Sequence, residues 1–280
     1  MVNDRLHNVE SMLNRVSITK LQKRMRTQFI GKTMFFSRKV GSTNDRAKQL
    51  AVQGVPVGTV VIAATQTHGR GRLDRKWISP VGGLWFSVIL KPEVSVSKIS
   101  HLTFVASLAV AECLKDLYGL RVETKWPNDV LVKGRKICGI HGETSSTEEK
   151  ATFAILGVGV NVNFDTEKTF PEPIRLTTTS VEKELGHKVK LETLLKALLE
   201  KFERTLGLCL NQGFKSVLSE WKKYAFFLGN EVEVVDRIST ISGTACDIAE
   251  DGALVLRSKD GSLRHIFAGD LFLRISENPC

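Results

Sequence analysis

The sequence predicts an α+β protein, in which a larger domain of alternating strands and helices is followed by a small β-rich module. Three observations point to it. From Met34 onward, short apolar runs alternate with stretches of helical period. Residues 191–222 gather Leu191, Leu194, Leu195, Leu198, Leu199 and Phe202 on one helical face. Beyond Tyr224 the pattern changes to short strands separated by Gly or Asp turns, as in a small barrel or sandwich. At 280 residues the chain exceeds the roughly 150 typical of one domain, so we expect a basic extension over 1–29, a main domain over 30–226 and a β module over 227–280.

In chain order, Val9, Met12, Leu13, Val16 and Leu21 suggest one short amphipathic helix. Strands follow at 34–36 and 59–64, with a helix near 44–53 between them. A strand at 84–90 leads into a long helix over about 97–117, which Gly119 stops. Strands at 130–133, 136–143 and 152–162 complete the sheet, with a hairpin at Lys133–Arg135. The β module reads as strands at 231–235, 253–258 and 265–275, with GTACDIAEDGAL (243–254) as a turn.

Hydrophobic residues at 42% and charged residues at 25% argue against disorder and against a membrane-bound chain. No run approaches the ~18 apolar residues of a span, and the charged start excludes a secretory leader, so the cytoplasm is the expected compartment. The five cysteines are odd in number and form no CxxC pair, which argues against a disulfide framework or zinc site. The net charge of +10 is largely local, because residues 1–40 hold nine Lys or Arg against Asp4 and Glu10. Such a segment reads as a solvated face, with an acidic protein or nucleic acid as the weaker reading.

The common phosphate-binding motifs fail. GKT at Gly31–Thr33 would need a glycine where Arg26 stands, and GVGVNV (157–162) lacks the third glycine of a dinucleotide fingerprint. More informative is QTHGRGRLDRKW (66–77), where Gly69 and Gly71 allow a tight backbone among Arg70, Arg72, Arg75 and Lys76. Arginine forks hold carboxylates and phosphates, although a solvated loop or nucleic-acid contact would use the same residues. KWPNDV (125–130) presents Lys125, Asn128 and Asp129, and a carboxylate there suits Mg²⁺ carried with phosphates; an ordinary turn would read alike. In GRKICGIHGE (134–143), Lys136 opens a strand whose glycines permit close approach by a ligand.

STND (42–45), GRGRLDRKWISPVGGLWFS (69–87), KWPNDV, GRKICGI and GVGVNVN (157–163) occur together in this order, and in that combination the chain resembles biotin protein ligases over about residues 30–274. The resemblance implies a mixed sheet flanked by helices, of the class II aminoacyl-tRNA synthetase and biotin ligase type, with a C-terminal SH3-like barrel. It also implies an ATP-dependent ligase that makes biotinyl-5′-AMP and passes biotin to a lysine of a biotin carboxyl carrier protein, with Mg²⁺. By the same resemblance, Ser42, Thr43, Asn44, Gln66, Gly69, Arg70, Arg72, Lys136 and Gly139 hold biotin. Arg72, Arg75, Trp77, Lys125, Asn128 and Asn161 hold ATP or the adenylate. Lys136, Arg72 and Asp129 serve catalysis, with Asp129 also offered to Mg²⁺ and to the proton of the acceptor lysine.

Departures from the pattern are Leu73 and Asp74, where many relatives read GRGRRGR, and His141, where many carry an aliphatic residue. His141 reads as a satisfied strand histidine. Two alternatives stay open: a lipoate ligase of the same fold, and a biotin-sensing regulator, for which about 30 residues before the pattern are too few to form a winged helix. A monomer and a homodimer are equally compatible with the resemblance, and nucleic acid is not expected as a partner.

Overall fold

A computed structural model of the chain describes residues 15–91, 99–147, 150–236 and 239–274. Its main sheet has seven strands: β1 (Met34–Val40), β2 (Val60–Gln66), β3 (Leu84–Leu90), β4 (Val122–Lys125), β5 (Asp129–Val132), β6 (Arg135–Thr147) and β7 (Lys150–Val160). Their order is β1-β2-β3-β7-β6-β5-β4. β1 and β2 run parallel, and every other neighbour is antiparallel.

Strand alternation divides the core in two. Val60 and Ile62 of β2, Val88 and Leu90 of β3, and Ala154 and Leu156 of β7 join the large core, which also holds Leu108 and Leu114 of α3 (Ile99–Tyr118) and Leu194 and Leu198 of α7 (Leu191–Gln212). The residues between them, Val61, Ile89 and Ile155, pack instead with Ala47, Leu50 and Ala51 of α2 (Thr43–Val52). α2 thus covers one face of the sheet and α3 with α7 the other. Ser42 caps α2 by accepting from the Asp45 amide, and Gly119, at φ 64°, ends α3. Lys133 and Gly134, both at positive φ, make the tight β5–β6 hairpin.

Five strands form the second sheet: β8 (Glu231–Val235), β9 (Thr240–Ile248), β10 (Leu254–Arg257), β11 (Leu263–Ile266) and β12 (Asp270–Leu273), in the order β11-β10-β9-β8-β12 and antiparallel throughout. This module shares the large core through Val232, Val234, Ala245, Ile248, Leu254 and Leu271. The buried Trp126 indole also donates to Gly252 O at 3.0 Å.

The structure revises several expectations. β4 and β9 carry no clear strand pattern in the sequence; β9 and the start of β10 occupy most of 243–254, whose composition reads as a turn, and 265–275 divides into β11 and β12 around Gly269. The helix over 191–222 is two, broken at Gly213 (φ 83°) before α8 (Phe214–Lys222). Three short helices, α4 (Thr166–Thr169), α5 (Ile174–Thr177) and α6 (Val181–Leu185), stand in an unread region. The first helix, α1, is Arg15–Arg24, and it is no free extension: Ile18, Leu21 and Met25 enter the large core. Val9, Met12 and Leu13 lie outside the described residues.

Candidate active site

The face of the sheet that carries α2 continues past Ile155 to Gly157 and Gly159 on β7, which pair with His141 and Gly139 on β6 and with Ser87 and Trp85 on β3. Here the side chains disappear, and a cavity of about 290 Å³ opens above the glycines. Of the residues expected in the site, Ser42, Thr43, Asn44, Gln66, Arg70, Arg72, Arg75, Trp77, Asn128, Asp129, Lys136, Gly139 and Asn161 line it.

One end has a neutral, internally hydrogen-bonded wall with a charged cluster behind it. Gln66 Oε1 accepts from the Thr43 amide at 2.8 Å and from its hydroxyl at 3.1 Å, while Gln66 Nε2 donates to Ser79 Oγ at 2.8 Å. Ser87 Oγ lies 2.7 Å from Thr43 Oγ1 and 2.6 Å from Asn44 Oδ1. Gly157 has to be glycine, because a Cβ there would stand 2.4 Å from Asn44 Oδ1. Asn44 then donates to Glu143 Oε1 at 2.7 Å. Glu143 also takes Lys48 and Arg70 as ion-pair partners, and His141 Nε2 at 3.3 Å. Burial works against the Glu143 charge, but the hydrogen bonds from His141, Lys48 and Asn44 outweigh it and hold the carboxyl well below its usual range.

The other end is charged. Lys136 Nζ stands 2.6 Å from Asp129 Oδ1, close enough for an ion pair though without hydrogen-bond alignment, and 5.1 Å from the Trp77 ring centre. Trp77 lies against the paired glycines: a Cβ on Gly139 would come within 2.9 Å of its ring, and one on Gly159 within 2.6 Å of Nε1. The glycine expected to admit a ligand therefore admits Trp77. Two buried atoms at this end have no protein partner, Trp77 Nε1 and Asn161 Oδ1; Asn161 is held by its amide, which donates to Thr179 O at 3.0 Å.

The glycine loop is folded back on itself, with Trp77 N donating to Gly69 O and Gly71 N to Arg75 O. Gly69 is part of this turn and not of the cavity wall, since a Cβ there would stand 2.4 Å from Trp77 O. Leu73 adopts the left-handed conformation (φ 54°). The arginines go separate ways. Arg70 grips Asp45 with both nitrogens, at 2.7 and 2.5 Å, which raises its pKa and lowers that of Asp45. Arg75 pairs with Asp270 of the C-terminal module. Among the described residues, Arg72 hydrogen-bonds only neutral oxygens, Asn128 Oδ1 at 3.2 Å and Gly269 O at 3.5 Å, and burial pulls its pKa down.

Lys125 is not in the cavity wall. It lies beneath Phe272, 4.9 Å from the ring centre, where burial lowers its pKa. Asp129, expected to face Mg²⁺, has Lys136 as its neighbour, and among the described residues no three His, Cys, Asp or Glu side chains gather to hold an ion. A magnesium ion here would be carried on phosphate oxygens, with at most Asp129 beside it. Lining residues that sequence reasoning missed include His141, Gly157, Gly159, Phe170, Thr178 and Asp270. The glycines were signalled by GVGVN, whereas Phe170, Thr178 and Asp270 arrive from distant segments with no local pattern. None of the four described cysteines forms a disulfide, and among the described residues no helix is long and apolar enough to cross a membrane.

A loop of arginines, a lysine against an aromatic ring and a polar pocket on one sheet face make a cavity suited to a ligand with both anionic and neutral polar groups. The comparisons agree. Residues 36–161 match the Biotin/lipoate A/B protein ligase family, and residues 227–274 the Biotin protein ligase C terminal domain. The chain is 31% identical over 260 residues to the bifunctional ligase/repressor BirA of Bacillus spizizenii, covering 92% of this chain and 79% of that protein. It is 33% identical to the biotin–[acetyl-CoA-carboxylase] ligase of Paracoccus denitrificans, over 79% of this chain and 92% of that one. The structure of a biotin protein ligase from Aquifex aeolicus in complex with biotin and ATP superimposes with a TM-score of 0.76 at 30% identity, over 88% of this chain and all of that one. The chain belongs to the biotin protein ligase family and is a ligase.

Proposed function

We propose that this site joins biotin to ATP, forming biotinyl-5′-AMP and pyrophosphate, and then passes biotin to one lysine of a biotin carboxyl carrier protein. The observation that carries the reading is the polarity of the cavity. A neutral end built from Thr43, Gln66 and Ser79 suits the ureido ring, and a cationic end with Lys136 and the carboxylate-free Arg72 suits two anions that must react. A lipoate ligase or a biotin-sensing regulator is not favoured. We also propose that the reaction takes place in the cytoplasm. For the fold, we further propose a synthetase-like catalytic core and an SH3-like barrel formed by β8–β12.

In the first step a biotin carboxylate oxygen attacks the α-phosphorus, forming the mixed anhydride as the bond to pyrophosphate breaks. Arg72 and Lys136 meet the negative charge that builds on the phosphorus, in a partly buried site where such interactions strengthen. Arg72, lacking a carboxylate partner, holds the two anions together. Trp77 and Asn161 border the adenosine, and Trp77 Nε1 and Asn161 Oδ1 offer it an unused donor and acceptor. A magnesium ion bound with ATP would have Asp129 of the cavity wall as a protein carboxylate beside it and would supply charge neutralisation to the phosphates. In the second step the acceptor amine, once deprotonated, attacks the acyl carbon; AMP leaves and an amide forms. Asp129 stands beside Lys136 to take that proton.

The test is to incubate the protein with ATP, Mg²⁺, biotin and a carrier domain while following acceptor mass, with lipoate and Lys136→Ala as controls. The acceptor gains one biotin on one lysine, and the variant is slower by about 10²–10³, the cost of one transition-state donor. Transfer of lipoate in preference to biotin, or no adenylate from the intact protein, overturns the reading.

A further inference from the structure

Where β6 and β7 pair beneath the cavity, Gly139, Gly157 and Gly159 have no side chain, and the residue opposite Gly157 is His141. Its ring is only half satisfied. Nε2 lies 3.3 Å from Glu143 Oε1, and a carboxylate can only accept, so Nε2 carries the hydrogen. In the neutral ring Nδ1 then presents its lone pair. Nδ1 is buried and has no protein partner, which is unfavourable unless a ligand supplies a donor. Glu143 is in turn fixed by Asn44 and Lys48, so the tautomer and the ring direction are both set before a ligand arrives.

The position along the cavity identifies the donor. His141 pairs with Gly157, the glycine that makes room for Asn44, and Asn44 Nδ2 lies 3.4 Å from the His141 carbonyl. His141 thus belongs to the Asn44–Glu143 corner of the cavity, where Asn44 shares Ser87 with Thr43, and has no contact with the Lys136–Asp129 pair among the described interactions. Resting on the biotin reading above, we propose that His141 is a specificity-determining contact whose Nδ1 accepts a hydrogen bond from a ureido N–H of biotin. Biotin has N–H donors only in that ring, and a dithiolane acid such as lipoate has none, so the same atom that binds one acid is left unpaired by the other.

The test is equilibrium binding of biotin, and of biotin methylated singly at each ureido nitrogen, to the intact protein, His141→Leu and His141→Asn, with thermal melting as the check of folding. Biotin affinity falls roughly tenfold in His141→Leu and recovers in part in His141→Asn, whose amide oxygen can accept in place of Nδ1. The analogue methylated at the contacting nitrogen binds the intact protein and His141→Leu alike. Unchanged biotin affinity in a folded His141→Leu overturns the proposal, as does an equal loss for both methylated analogues, which would mark a packing effect. An intact protein that binds no biotin at all overturns the ligase reading instead.

Discussion

Arg70 and Arg72 leave the glycine loop two residues apart, yet the fold assigns them to different neighbours. Arg70 is clamped within the main domain by Asp45 and Glu143. Arg72 is half-buried and donates to the Asn128 side-chain amide oxygen in the main domain and, across the boundary, to the Gly269 carbonyl of the C-terminal module. A paired guanidinium organises a pocket, whereas one without a carboxylate attracts an anion. The loop's cluster of cations is therefore one structural clamp and one open fork, with Arg75 balanced between solvent and Asp270.

The sharpest way to break this comparison is to remove each arginine alone. Arg72→Ala loses a charge-assisted hydrogen bond of ~1.5–3 kcal/mol, so adenylate formation, read as pyrophosphate exchange, falls roughly 10- to 100-fold with little change in melting temperature. Arg70→Ala does the reverse: it destabilises the fold by about 1 kcal/mol, as expected for a partly exposed pair, and weakens biotin through the displaced Asn44–Glu143 corner. Equal kinetic losses in the two variants would mean that both arginines touch the anions.

A gentler probe is pH. The Glu143 carboxyl, with an ordinary value of 4.5, is depressed in the folded protein because its hydrogen bonds outweigh its burial. A group of this kind stabilises the fold above its unfolded value, and that contribution is lost as pH falls from there toward the folded value. Melting temperature should therefore drop from about pH 4.5 downward more steeply in the intact protein than in Glu143→Gln. Parallel curves would show that the network around Glu143 carries no stability.

The elements most legible in the sequence were those with local patterns. β3 and β8 match their expected bounds, and α7 shows its leucine face, because burial on one or both sides imposes a repeat. β4 was missed because four residues of alternating burial leave little signal. β9 was taken for a turn because Gly243 and Asp247 look like loop residues. Gly243 is needed because a Cβ there would stand 2.3 Å from Arg257 O on the neighbouring strand, a fact set only by pairing. The site followed the same rule. Most of its motif residues line one cavity, Gly69 and Lys125 excepted, but Asp270, 195 positions from Arg75 in sequence, could not be foreseen.

That pair gives the smallest expected effect. Asp270 occupies the Arg75 guanidinium from the C-terminal module while lining the cavity, so an incoming phosphate has to share or displace it. Arg75 is largely exposed, and exposed ion pairs are worth only ~0–1 kcal/mol. Asp270→Asn should therefore lower KM for ATP by a few-fold at low salt and less at high salt, as screening weakens the competing pair, with kcat unchanged. A raised KM would instead mean that Asp270 helps to hold the nucleotide and that the C-terminal module belongs to the binding site as a contributor, which would place Arg75 with Arg72 as a fork that the second module aims rather than restrains.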